Sequence, residues 1–204
     1  MFQRAHDAGG HTVSGNVPAI SREEEKSRIL DVAERFARHG GYFSFDLADI
    51  EPETGLTSAE IRSHFKSKQE LATALVYRYI ADVEKALGDP RDTGSMERLV
   101  AIWSEAAQSH NQMCLCSLYG AEIAALPEEV AKATQGYYST VSDWIHRALG
   151  CPHDEVHAEA ILASLCGTLI TVKSMNRAET FDAIIWQMIR PIINTCGKSA
   201  QTTA

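Results

Sequence analysis

The chain has 204 residues, of which 45% are hydrophobic and 7% aromatic, and its formal net charge at pH 7 is −8. These values are typical of a soluble globular protein with one or two domains. The longest apolar run is far shorter than the ~20 residues that span a bilayer, so the sequence predicts no membrane association and a cytoplasmic location.

The chain begins with an irregular segment and then becomes helical in pattern. Residues 1–20 mix Gly, Ser, His and Asn without periodicity, and we expect a disordered tail there. Ser21 and Glu24 have the spacing of a capping box, which predicts a helix start. Apolar residues then recur at helical spacing from Ile29 to Ala37 and from Leu71 to Leu87.

Two short helical stretches around Thr54-Gly55-Leu56 lie between these two helices. Such a pair can place its second helix in a DNA major groove, so residues 44–71 predict a helix-turn-helix. Pro52 lies inside the first stretch, and a proline within a helix costs roughly 3 kcal/mol. We therefore expect the first helix of the pair to end early or to kink.

Several short motifs follow one another at fixed spacing in this region: Ile29-Leu30-Asp31, Gly41-Tyr42, Asp49-Ile50, Gly55-Leu56-Thr57, Ile61, His64-Phe65, Ser67-Lys68 and Glu70-Leu71. In order and spacing they resemble the amino-terminal domain of TetR-type transcriptional regulators. The resemblance implies that the helix from Thr57 to His64 enters the major groove and that Lys68 contacts phosphate. It also implies a dimeric, ligand-responsive repressor.

The candidate DNA-contacting residues lie on and around that helix. They are Ser44, Thr57, Ser58, Glu60, Arg62, Ser63, His64, Lys66 and Lys68. Arg62 and Glu60 replace the tyrosine and the small hydroxyl residue that are usual in the family, so the operator sequence does not follow from the resemblance. Residues 22–80 have nine Lys or Arg against eleven Asp or Glu, a net charge of −2, so only a local basic patch can bind phosphate.

Residues 88–204 show helical segments separated by turn signals, without a convincing strand. We therefore expect an all-α chain with a tail at 1–20, a three-helix helix-turn-helix DNA-binding domain at 21–70 and a helical ligand-binding and dimerisation bundle at 71–204. The last helix is apolar over more than one face, which favours a homodimer. The expected interface residues are Ile161, Leu165, Leu169, Ile185, Met188, Ile189 and Ile192.

The five cysteines, in a chain without an export signal, predict reduced thiols. Cys114 and Cys116 follow His110 and Met113, and this grouping is compatible with three roles. The thiols could pack as small hydrophobes, react with oxidants or electrophiles, or bind a thiophilic metal. The sequence does not choose among these roles, and we assign no metal or other cofactor.

An effector pocket is expected in the carboxy-terminal bundle, where apolar and aromatic residues converge. A small molecule or an electrophile is the expected effector. The candidate ligand or sensor residues are Trp103, His110, Met113, Cys114, Cys116, Tyr119, Tyr137, Tyr138, Trp144 and Cys166.

An enzyme and a helical adaptor are the two alternatives to a regulator. His153 and His157 have zinc-binding spacing, but Asp154 stands where a zincin needs its glutamate, and no phosphate-binding glycine loop or nucleophile elbow is present. The sequence therefore does not predict an enzyme. A helical adaptor with the regulator fold but no DNA binding is the alternative, and Pro52, Glu60 and the acidic charge favour it.

Overall fold

The computed structural model describes residues 21–109, 112–150 and 155–202, with only the backbone described for residue 155 and residues 197–202. Within these ranges the chain is helical and contains no β-strand, which confirms the all-α prediction. The helices are α1 (Arg22–Gly40), α2 (Leu47–Thr54), α3 (Ser58–His64), α4 (Lys68–Leu87), α5 (Ser95–Gln108), α6 (Leu115–Ala121), α7 (Glu128–Leu149), α8 (Glu155–Ser174) and α9 (Phe181–Thr202), with 3-10 turns at Tyr42–Ser44 and Ala178–Thr180.

Capping residues define the starts of the amino-terminal helices. Ser21 and Glu24 form the expected capping box of α1, and Thr57 with Glu60 forms a second one at the start of α3. Gly55 ends α2 in the left-handed region with a φ of 71°, which a residue with a side chain adopts less easily. The α2–α3 turn is therefore set by local sequence.

Pro52 does not end α2 early, because the helix continues to Thr54. This part of the prediction was wrong. Pro52 lies in the last turn of this short helix, where its missing N–H removes only the bond to the Ala48 carbonyl. The Thr54 hydroxyl donates a hydrogen bond to the Ile50 carbonyl at 2.8 Å and so supports this turn.

The carboxy-terminal bundle is built by α4 on α7, α7 on α8, and α8 on α9, while α1 packs on both α4 and α6. Among the described residues, Val156–Ser174 of α8 is long and apolar enough to span a membrane by length and composition, with a mean hydropathy of 1.3. Within the chain 39% of this segment is buried, including Leu165 and Leu169.

Five of the seven expected interface residues lie in the core of the single chain. Ile161, Leu165, Leu169, Ile185 and Ile189 have no exposed surface, so they cannot form a surface for a second chain and their assignment was wrong. Met188 is 48% exposed and Ile192 is partly exposed. Helical periodicity identifies an apolar face, but it does not show whether the chain's own helices or a second chain cover that face.

We expect Ile185→Asp and Ile189→Asp each to lower the free energy of unfolding by several kcal/mol, because each would bury an unpaired carboxylate. Chemical unfolding followed by circular dichroism measures the loss. Gln187→Asp adds the same charge at an exposed position of α9 and should change stability by no more than about 0.5 kcal/mol. Equal stability of all three variants would contradict the core assignment.

Candidate nucleic-acid interface and effector cavity

The outer face of α3 carries most of the predicted DNA-contacting residues. Thr57, Ser58, Arg62, Ser63 and Lys66 are all exposed. Within the described part of the chain, the side chains of Arg62 and Lys66 have no ion pair or hydrogen bond. Their charges are therefore available to a ligand at this face.

Three predicted contacts already have partners within the protein. Only His64 is also withdrawn from solvent, so its assignment is corrected, whereas Glu60 and Ser44 stay exposed and remain predictions. Glu60 Oε2 accepts hydrogen bonds from the Thr57 amide at 2.7 Å and the Thr57 hydroxyl at 2.8 Å, which lower the pKa of Glu60. The His64 side chain is only 2% exposed, and its Nε2 lies 2.9 Å from a carboxylate oxygen of Glu25. The Ser44 hydroxyl donates to the carbonyls of Gly41 and Phe36.

Lys68 lies close to the position that the family resemblance implies, but it is already partnered. Its Nζ is 3.6 Å from a carboxylate oxygen of Asp46, at the N-cap of α2. The same ammonium lies 4.5 Å from the ring centre of Tyr42 and 5.1 Å from that of Phe45. A phosphate would have to compete with Asp46 for this charge.

Arginines of α1 hold the helix-turn-helix in place, a role that sequence reasoning missed. Arg22 donates to the Ser63 carbonyl at 3.0 Å, and Arg28 donates to the Thr54 carbonyl at 3.3 Å. These bonds fix the ends of α3 and α2 against α1. No local spacing could reveal them, because the partners are 41 and 26 residues apart in sequence.

A cavity of about 330 Å³ lies between α1, α4, α5, α7 and the segment that precedes α6. It brings together three predicted effector residues, Trp103, Cys114 and Tyr137, from separate parts of the sequence. Sequence reasoning did not assign the rest of the wall to the effector site. The missed residues include Glu34, Arg38, Tyr79, Asp82 and Glu105.

Cys114 lies at the aromatic side of this cavity and is 2% exposed. The Tyr79 hydroxyl donates to Cys114 Sγ at 3.5 Å, and the Tyr137 hydroxyl lies 3.7 Å from the same sulfur. Burial raises the pKa of both phenols, so both remain neutral at physiological pH. The cavity therefore contains a polar group of two hydroxyls and a thiol within an apolar wall.

Two hydrogen-bonded contacts join the segment around α6 to the DNA-binding part. The Met113 amide donates to the Arg38 carbonyl at 2.8 Å, and Arg38 Nε donates to the Met113 carbonyl at 2.9 Å. Beyond α6, a Glu122 carboxylate oxygen accepts the Tyr42 amide at 2.7 Å. A Cβ atom on Gly41, whose φ is 83°, would lie only 2.4 Å from this carboxylate.

Comparisons with known proteins agree with this arrangement. No protein-family model and no curated protein matches the sequence. Among solved structures, a TetR-family transcriptional regulator from Agrobacterium tumefaciens is 26% identical, with a TM-score of 0.69 over 86% of this chain and 98% of that one. A TetR regulator from Legionella pneumophila is 22% identical, with a TM-score of 0.75 over 85% and 98% of the two chains.

A third solved structure, the reduced form of NemR from E. coli, is 16% identical and has a TM-score of 0.69 over 80% of this chain and 95% of that one. The chain has the fold of the TetR family of transcriptional regulators. The fold covers α1–α3 and the bundle alike, whereas the sequence resemblance covered only the amino-terminal part.

Most other effector candidates do not line the cavity of this TetR-type bundle. Trp144 Nε1 donates to the Gly88 carbonyl at 2.8 Å, and Tyr119 is fully buried against Tyr42. Tyr138 and Cys166 line a separate surface depression of about 480 Å³, and the Tyr138 hydroxyl donates to the Cys116 carbonyl at 3.1 Å. The prediction for His110 lies outside the described residues.

Cys116 and Cys166 of the TetR-type bundle lack the low pKa of reactive cysteines. Cys116 is fully buried, which raises the pKa of its thiol well above the usual value, and burial raises the pKa of Cys166 to about 11. No group of three or more potential metal ligands occurs in the described ranges. Cys196 is disulfide-bonded, so the prediction of reduced thiols was wrong for this residue.

We expect the alkylation rate of Cys166 to rise about tenfold per pH unit up to about pH 10, because its thiolate fraction grows tenfold per unit below a pKa of about 11. Mass spectrometry of the Cys166 peptide after timed iodoacetamide treatment measures this rate. The Cys116 peptide, from a site without exposed surface, should react more slowly still. A plateau near pH 8 for either peptide would restore the reactive-sensor interpretation.

Proposed function

We propose that this protein is a transcriptional repressor that binds a palindromic DNA operator as a homodimer in the cytoplasm. A small molecule bound in the cavity beside Cys114 releases the operator. The observation that carries the proposal is the exposed α3 face with Arg62 and Lys66, held by α1 within a TetR-type fold.

The chemistry of α3 supports base recognition by Arg62 rather than by Glu60. An arginine can donate two hydrogen bonds to O6 and N7 of guanine in the major groove. Arg62 is exposed and without a partner among the described residues, whereas Glu60 is occupied by Thr57. Lys66 follows α3 and offers a charge for backbone phosphate.

A helical adaptor that does not bind DNA is the second candidate function. The Asp46–Lys68 ion pair favours it, because Asp46 places a negative charge beside the lysine that the family resemblance assigns to phosphate. The Asp46 side chain is 80% exposed, so the ion pair is weak enough for phosphate to displace. We therefore treat Asp46 as a modulator of affinity rather than as a barrier to DNA.

We expect Lys66→Ala to weaken binding to all duplexes alike and to reduce the slope of log affinity against log salt by about 0.9. Arg62→Ala should cost about 1–3 kcal/mol on the preferred operator and relax selectivity at one base pair. Selection from a random duplex pool, followed by titration at several salt concentrations, measures both effects. Lys132→Ala removes the same charge from α7 and should leave both unchanged.

The Asp46–Lys68 pair allows the two candidate functions to be separated in the same assay. Asp46→Asn should strengthen DNA binding by freeing Lys68, while the asparagine can still cap α2. Adding Lys68→Ala should abolish this gain. If neither the unmodified protein nor Asp46→Asn selects any duplex at low salt, the repressor proposal fails and the adaptor replaces it.

The exposed apolar surface of α8 and α9 supports the homodimer. Ile170 of α8 is 45% exposed. Ile184 of α9, one helical turn before the exposed Met188, is 36% exposed. Ala163 and Gly167 on the same face of α8 are small and exposed, which permits close approach of a second chain. Two copies related by a twofold axis would form a four-helix interface from these faces.

We expect Met188→Asp to convert the dimer to a folded monomer, because the interface would have to desolvate an unpaired charge. Light scattering at micromolar concentration measures the mass, and circular dichroism verifies the fold. Ala183→Asp adds the same charge at an exposed position of α9 that faces away from Met188, and this variant should stay dimeric. A monomeric unmodified protein would contradict the proposal.

Two elements provide a route from the cavity to α3. Helix α4 lines the cavity with Tyr79 and Val83 and begins at Lys68, beside the DNA-binding face. The Arg38–Met113 exchange connects the cavity wall to the carboxyl end of α1. Operator half-sites require recognition helices about 34 Å apart or a multiple of that distance, so a shift of either element weakens binding. A coupling free energy of about 1–3 kcal/mol gives a 5- to 150-fold effect.

A further inference from the structure

The charge around the effector cavity is unbalanced, and this imbalance indicates what the cavity binds. Four charged residues line it: Glu34, Arg38, Asp82 and Glu105. Three of them are acidic and one is basic. A ligand in the cavity responds to the charges that are not already neutralised by ion pairs within the protein.

Glu34 and Arg38 belong to a neutral network. Arg38 Nη1 lies 3.2 Å from one Glu34 carboxylate oxygen, and Arg78 Nη2 lies 2.8 Å from the other. Arg78 also pairs with Asp31 at 2.7 Å. The charges of two guanidinium groups and two carboxylates therefore cancel on this side of the cavity.

Asp82 on α4 and Glu105 on α5 have no such compensation. Both are exposed although they line the cavity, so they lie where the cavity meets solvent. Neither has an ion pair within the described ranges of the chain. The nearby Lys173 ammonium donates to the Ser109 carbonyl at 2.6 Å and is not part of the wall. Two negative charges therefore remain at the opening.

The rest of the wall suits an apolar body. Tyr79, Trp103 and Tyr137 contribute aromatic surface, and Val83 and Ile102 contribute aliphatic surface. A ring can exclude water against such a wall, and aromatic faces also attract an organic cation. An anionic ligand would meet both unpaired carboxylates at the opening. A volume of about 330 Å³ is at the small end of drug-sized ligand sites.

We propose that the effector is an organic cation with an aromatic or aliphatic body, whose apolar part lies against Tyr79, Trp103 and Tyr137 and whose ammonium lies between Asp82 and Glu105. This assignment rests on the proposed function, because it names the chemical class of ligand for the same cavity. It places charge recognition on two helices, α4 and α5, that both line the cavity.

Three probes of nearly the same shape test the ligand class in the absence of DNA. They are benzyltrimethylammonium, its neutral carbon isostere neopentylbenzene, and the anion phenylmethanesulfonate. Calorimetry on the full chain should show the tightest binding for the cation. The double variant Asp82→Asn/Glu105→Gln should weaken cation binding about tenfold and leave the neutral isostere unchanged.

The control variant Glu84→Gln/Glu97→Gln removes the same two charges from the same two helices but outside the cavity wall. It should bind the cation like the unmodified protein. Equal affinity for the cation and its isostere, tighter binding of the anion, or no binding of the cation at millimolar concentration would each overturn the assignment. Operator release is measured separately, so a cation that binds with the expected charge dependence but releases no DNA contradicts the repressor proposal alone.

Discussion

The exchange of hydrogen bonds between Arg38 and Met113 is the constraint on which the rest of the molecule depends. It is made from both sides, since each residue donates to the carbonyl of the other. Arg38 also carries the ion pair that neutralises Glu34 in the cavity wall. One residue near the end of α1 therefore joins the DNA-binding part, the cavity and the segment that leads into α6.

This arrangement explains why a cavity in the bundle can influence the helix-turn-helix without unfolding it. The amino-terminal helices are fixed to α1 by bonds from Arg22 and Arg28 to backbone carbonyls. They should therefore move with α1 as one unit. A ligand that changes the position of Arg38 acts on that unit, and the energy required is that of a few hydrogen bonds.

The sequence predicted the features that depend on local chemistry. The capping box at Ser21 and the turn at Gly55 follow from residues close together in the chain. Three cavity residues, Trp103, Cys114 and Tyr137, could also be found, because polar or polarisable side chains in an apolar bundle are uncommon. These features can be predicted without knowing which helices pack against each other.

The errors arose where distant neighbours decide the outcome. His64 was predicted to contact DNA together with Arg62 and Lys66, but its side chain is only 2% exposed and pairs with Glu25 of α1. Ile185 and Ile189 form an apolar stripe that either a second chain or a helix of the same chain could cover. The packing of α9 on α8 shows that the same chain buries both residues. The acidic opening formed by Asp82 and Glu105 was invisible for the same reason, since the two residues belong to separate helices.

The contact between Gly41 and Glu122 has a consequence for sequence variation among relatives of this chain. The carboxylate occupies the space that a side chain at position 41 would need, and the backbone there has a φ of 83°. A substitution at position 41 alone would both clash and strain the backbone. A shorter residue at 122 would remove the clash but not the backbone strain. We therefore expect glycine at position 41 whichever residue occupies 122, even though 80 residues separate Glu122 from Tyr42 in the hydrogen bond beside them.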